Sequence, residues 1–248
     1  MPARDKSNES ARVDLTARAF TERLNALQDD EELLKIARYF KSAEGDYGHG
    51  DTFIGVRMGS IFALAREFVQ MPPAEIETLL ESDIHESRVG ALSVMAKQYP
   101  LKSITEERRK ELFDLYLRRH NRINNWDLVD LAAWHVVGPW LVDKRRTVLH
   151  TLARSPNMWE RRTAILATFS FIKRGEFDDT FRIAEALLED RENLIQKAVG
   201  WALRVVGGKD RESLEAFLQT HASRMPRPML SNAIEKFSSA DKARFRAL

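Results

Sequence analysis

Apolar residues recur at helical spacing along nearly all of this 248-residue chain, and no stretch alternates with the period of a strand. From Ala11 to Leu27, positions Val13, Ala17, Phe20, Leu24 and Leu27 share one face. Asp30 to Phe40 repeats the pattern with Leu33, Leu34, Ala37 and Phe40 inward. Further segments run over 57–69, 73–80, 83–98, 105–119, 124–137, 143–153, 157–173, 178–189, 193–206, 210–221 and 226–237, with a short last one at 240–247. Short turns between neighbours imply antiparallel pairs, and the pairs recur at roughly 35–45 residues, the period of HEAT and armadillo arrays. The expected fold is all-α, a curved α-solenoid of antiparallel HEAT-like helix pairs. It is expected to occupy residues 11–248 as one domain, after a polar, flexible segment at 1–10. A compact helical bundle is the alternative.

Composition narrows the function. There is no cysteine, which removes disulfides, thiolate metal sites and a cysteine nucleophile and suits a reducing cytoplasm. No apolar run approaches the ~20 residues of a membrane span, so no membrane partner is expected. Net charge is only +2, but it is unevenly placed. Residues 101–174 hold 15 Lys and Arg against 8 Asp and Glu, whereas residues 1–100 hold 12 against 17. A local basic field favours a polyanion such as nucleic acid; a set of solvated helix faces is the plainer reading. Residues 41–56 contain four glycines, which break any helix there. Such a loop can let backbone approach a phosphate, but it matches neither the P-loop nor the dinucleotide pattern.

The stretch Asn124 to Val137 is apolar almost all the way round, as a helix buried between neighbours would be. Asn124 reads as its N-cap and Asp127 as a first-turn acid facing orphan N–H groups. Gly138-Pro139 reads as its end. Asp130 lies a turn deeper, where an unpaired carboxylate is expensive. Trp126, four residues earlier, shares its face. His135 reads as a satisfied core histidine, and Trp134, Trp140 and Trp159 as core. The six histidines form no metal-ligand pair, and no Gly-x-Ser-x-Gly elbow is present, so no metal and no cofactor are expected.

Three segments then stand out together: Asn125-Trp126-Asp127-Leu128-Val129-Asp130, Trp159-Glu160-Arg161-Arg162-Thr163-Ala164-Ile165-Leu166, and Ile195-Gln196-Lys197-Ala198-Val199-Gly200-Trp201-Ala202-Leu203-Arg204. Their order and spacing resemble the signature blocks of the AlkD family of HEAT-like DNA glycosylases. Asp51 to Arg57 resembles that family's N-terminal block, and the likeness spans about residues 30–235. It implies that Asp130 is the catalytic carboxylate, that Trp126, Trp201 and Arg162 line the cleft, and that Arg204 and Arg57 meet the DNA backbone. Met58-Gly59 departs from the family, which often has proline two residues after the Gly-Val-Arg triplet.

The implied activity is a monofunctional N-glycosylase that releases 3-methyladenine or 7-methylguanine from duplex DNA, with no lysine in the matched cluster to act as a lyase. The resemblance also implies that the lesion stays in the base stack. An alkylated purine is cationic and leaves readily, so one carboxylate steadying an oxocarbenium-like sugar can suffice. Two indoles would add π faces toward the same charge, and Arg162 would hold a phosphate. A monomer acting on nucleoid DNA is expected. Two other functions remain open: a non-catalytic binder of distorted or branched DNA, and a protein-binding helical scaffold.

Overall fold

The computed structural model describes residues 14–40, 48 and 50–248. The polar segment at 1–10, the first three residues of the helix expected from Ala11, and half of the glycine-rich span at 41–56 lie outside these; residues 14–16 are not helical, so that helix starts at Ala17 rather than Ala11. Among the described residues the chain is helical throughout, with no strand and one isolated bridge between Thr52 and Ile84. It falls into two compact units, Met1–Leu101 and Lys102–Leu248.

In the first unit, α1 (Ala17–Asn25) starts where Thr16 caps it, the hydroxyl accepting from the Ala19 N–H at 3.2 Å. α2 (Asp30–Tyr39) is capped by Asp29 and carries Asp30, Glu31 and Glu32 in its first turn, where acids suit the helix dipole. α3 (Met58–Glu67) and α4 (Pro73–Leu80) pack on α5 (His85–Gln98), which is buried over nearly its whole length. Pro73 sits at the start of α4, where its missing N–H costs nothing. Leu34 differs from expectation: it is 64% exposed, because α2 turns Phe40 rather than Leu34 inward.

The loop before α3 is pinned from behind. The Glu86 carboxylate accepts from three successive backbone N–H groups, Ile54 at 3.1 Å, Gly55 at 3.0 Å and Val56 at 3.4 Å. Asp51 receives Arg88 at 2.5 Å and His85 at 3.1 Å. Gly55 has φ +79°, and a Cβ there would meet the Asp29 carbonyl at 2.3 Å, so only glycine fits. The amides that a phosphate could have used are therefore taken by the protein's own carboxylate.

The second unit opens with α6 (Glu106–Arg118), capped by Thr105, and a 3-10 turn at His120–Arg122. α7 (Trp126–Ala132) follows, then a π-helical turn at Ala133–Val137 and α8 (Gly138–Leu141). The remainder is α9 (Thr147–Leu152), α10 (Met158–Ala167), α11 (Phe169–Ile172), α12 (Asp178–Ala186), α13 (Asn193–Gly207), α14 (Arg211–His221), α15 (Arg227–Ala233) and α16 (Ser239–Arg246). α7 with its π turn packs on α10, α10 on α13, and α13 on α15, with one or two helices between each pair. This sequential stacking of pairs is the all-helical, solenoid-like order expected. Two glycines permit close approaches to a neighbouring helix backbone: a Cβ at Gly138 would meet the Ala167 carbonyl at 2.3 Å, and one at Gly200 the Met229 carbonyl at 2.4 Å.

The helix expected to close at Gly138-Pro139 does not stop there. The Gly138 N–H donates to the Ala133 carbonyl, a step of five residues, and the chain continues helically to Leu141. Proline has no N–H and its ring crowds the carbonyl four residues back, here that of His135. Widening the turn just ahead of Pro139 relieves that crowding and lets the helix run on.

Candidate functional site

Five of the six residues singled out from sequence belong to the second unit. α7 presents one stripe toward solvent. Asp127, Leu128, Val129 and Ala132 are buried, while Trp126 and Asp130, one turn apart, are half-buried. The cap is Asn125 rather than Asn124: its side chain accepts from the Trp126 N–H at 2.8 Å. Asp127 still falls in the first turn, but it is buried and its carboxylate accepts from the Leu128 N–H at 2.9 Å.

Asp130 and Arg162 face each other as two forks. The Arg162 Nε donates to Oδ1 at 2.8 Å and its Nη2 to Oδ2 at 2.9 Å. Nη1 donates to the Leu194 carbonyl, also at 2.8 Å, at the first turn of α13. The arginine side chain is 7% exposed, whereas that of Asp130 is 21% exposed. Arg162 is therefore turned inward, holding the aspartate and tying α7, α10 and α13 together. Little of its guanidinium is left at the surface for the phosphate contact expected of it. The carboxylate has about four lone-pair positions and spends two on Arg162, so capacity remains on its open side. Burial pushes the Asp130 carboxyl above the ordinary carboxylate value of 3.8; the Arg162 fork opposes this, and the nearby Asp127 charge adds to it.

α10 is fixed in rotation by three successive residues pointing about 100° apart. Arg161 donates to Asp190 at 2.6 Å and to the Ser155 carbonyl at 3.0 Å. Arg162 holds Asp130. Thr163 turns to the other side, its hydroxyl 2.8 Å from the Tyr116 phenol and 2.9 Å from His120 Nε2. Burial lowers the His120 pKa to about 4, so it is neutral near pH 7. Burial also holds the Tyr116 phenol protonated.

The aromatic wall holds more rings than expected. Trp201 is half-buried on the exposed face of α13, and the indole that touches it is Trp134, at 5.2 Å and 75°. Phe169 meets Trp201 at 4.9 Å and 89° and Trp134 at 5.1 Å. These are edge-to-face or tilted contacts, the favoured geometry for ring quadrupoles. Trp134 is thus not a core residue; it is half-buried one turn beyond Asp130, in the π turn, so that Trp126, Asp130 and Trp134 follow one another at intervals of four along α7 and its extension. His135, expected in the core, is exposed. Trp140 and Trp159 are buried as expected. The missed signal for Trp134 was its spacing: it is to Asp130 what Asp130 is to Trp126.

The two arginines assigned to the DNA backbone are both ion-paired here. Arg204, one turn past Trp201, meets Glu235. Arg57, in the first unit, lies at the N-cap of α3 with its side chain 65% exposed and its Nε 2.9 Å from Glu32. Among the described residues no group of three or more His, Cys, Asp or Glu side chains is arranged to hold a metal ion, and no helix is long and apolar enough to cross a membrane.

This arrangement of a held carboxylate beside indoles sits inside a region with a family match. The model of the DNA alkylation repair enzyme family matches residues 20–237. Among solved structures, one described as a predicted DNA alkylation repair enzyme from Enterococcus faecalis matches with a TM-score of 0.66 at 18% identity, covering 86% of this chain and 97% of that one. That likeness concerns the fold. No curated protein matches the sequence. With most of its length inside the family match, the chain belongs to the DNA alkylation repair enzyme family.

Proposed function

We propose that the protein is a monofunctional DNA glycosylase that hydrolyses the N-glycosidic bond of cationic alkylated purines, 3-methyladenine and 7-methylguanine, in duplex DNA. One observation carries this reading: Asp130 is held by a bidentate arginine yet keeps an open side, in line with Trp126 and Trp134 on the same helix edge. A carboxylate used only for structure has no need of that exposure or those neighbours.

The chemistry asks little of the protein. The C1′–N bond breaks with its electron pair going to the base, which leaves neutral because alkylation had already made it cationic. Positive charge develops on the sugar. Asp130, ionised and oriented beforehand, stabilises it without reorganising. Water then adds to C1′ and loses its proton, leaving an abasic site. Trp126, Trp134 and Trp201 supply π faces to the cationic sugar. Arg162 serves by orienting Asp130.

The test is free base released from a methylated duplex. The purified protein is expected to release methylated purines and to leave an unmethylated duplex intact. Binding to the methylated duplex without release would favour a non-catalytic DNA-binding relative. Absence of binding at low salt would favour a scaffold for other proteins.

The aromatic cluster gives a second expectation. Edge-to-face contacts of this kind contribute about 0.5–1.5 kcal/mol each beyond area burial. Trp134→Ala should therefore slow single-turnover base release by roughly 10-fold, through loss of Trp201's orientation, while Trp134→Phe recovers most of the rate. Wild-type rates in Trp134→Ala would show that Trp201 needs no bracing.

A further inference from the structure

We propose that Lys197 binds the DNA phosphate at the lesion strand, the role that sequence reasoning gave to Arg162. The inference rests on the reading of the site as a DNA cleft, and it adds a residue to which that reading assigned nothing. Four observations carry it. The Arg162 fork is spent on Asp130 and the Leu194 carbonyl, and its side chain is buried. Arg204 is engaged by Glu235. Lys197 lies on α13 between Leu194, three residues before it, and Trp201, four residues after it, so the three share one face of the helix. Finally, Lys197 is exposed and forms no ion pair among the described residues.

Geometry places the ammonium well. Leu194 is the residue whose carbonyl Arg162 grips while holding Asp130, so the first turn of α13 is tied directly to the catalytic carboxylate. One turn on, a flexible four-carbon stem carries a compact charge with three donors, which suits a phosphate approached from several directions. α13 buries Ile195, Ala198, Val199, Ala202, Leu203 and Val206, with Gly200 against α15, while Lys197 is exposed, so the lysine has no part in core packing. A polyanion lying against Trp201 would meet Lys197 first. Lys197 lies inside the third matched segment, but the resemblance assigns it no role; its helix face does.

The test is the salt dependence of affinity for a duplex carrying a tetrahydrofuran abasic analogue, measured by fluorescence anisotropy. Each neutralised phosphate contributes about 0.9 to the slope of log K against log salt. Lys197→Ala should lower the slope by about that amount, so that its affinity falls about 3–4-fold less than wild type between 50 and 200 mM salt. Lys197→Arg should restore the slope, and Lys242→Ala, which removes the same charge from α16, should leave it at the wild-type value. A wild-type slope in Lys197→Ala overturns the inference, and so does an equal change in Lys242→Ala. Because the readout is binding, it stands apart from glycosylase activity: absence of base release by the wild-type protein would end the proposed reaction but leave this slope to decide the role of Lys197.

Discussion

Asp130→Asn is expected to slow base release by about 100- to 1000-fold while leaving duplex affinity within about 3-fold of wild type. The magnitude follows from removing one preorganised electrostatic group aimed at charge that develops only in the transition state. The substitution keeps the side-chain shape and one oxygen for Arg162, so α7 and α10 stay joined. It removes the negative charge and sets an amide –NH2 against a guanidinium, which makes some local adjustment unavoidable. Circular dichroism and binding to the abasic duplex separate that adjustment from the loss of rate. A variant that releases base within 5-fold of wild type would show that the carboxylate is structural.

Arg162→Gln should be the second large effect, and it should appear in both stability and pH dependence. Breaking one side of a buried ion pair costs about 3–5 kcal/mol; Asp130 is a fifth exposed, so the low end, about 3 kcal/mol, applies. In a protein of this size each kcal/mol lowers Tm by about 2–4 °C, giving a fall of roughly 6–12 °C. The pH effect has a definite sign. The reaction needs Asp130 ionised, so activity is lost as pH falls through its pKa. Burial already sets that pKa above 3.8, against the pull of Arg162. Removing the guanidinium leaves burial and Asp127 unopposed, and the acid limb of the kcat/KM profile should move to higher pH. An arginine that acted as a phosphate clamp would change KM and the salt slope and leave the limb in place. An unmoved acid limb with an unchanged Tm would contradict the positioning role.

The existence of the helices is legible because burial of one face imposes the period on the residues. The start of α6 is legible for a local reason, the Thr105 hydroxyl ahead of orphan N–H groups, whereas periodicity runs from Ala11 straight through Thr16, the residue that caps α1. The pairing of Asp130 with Arg162 is foreshadowed only by the cost of an unpaired carboxylate at that depth, since 32 residues separate them and the stack of helices brings them together. What stays hidden is register. Pro139 reads as a stop, yet tertiary packing of Gly138 on Ala167 holds the helix through it. The π turn that results carries Trp134 out of the core and against Trp201. Likewise, nothing local in Ile54-Gly55-Val56 tells that Glu86 occupies its amides.

The electrostatic role of Asp130 is tested most directly by comparing two abasic duplexes, one with a cationic pyrrolidine in place of the sugar ring and one with a neutral tetrahydrofuran. Wild type should bind the cationic analogue at least about 10-fold more tightly, and Asp130→Asn should lose that preference, since 1.4 kcal/mol of charge stabilisation corresponds to that ratio. Equal affinity of the wild-type protein for the two duplexes would contradict a carboxylate poised for a cationic sugar.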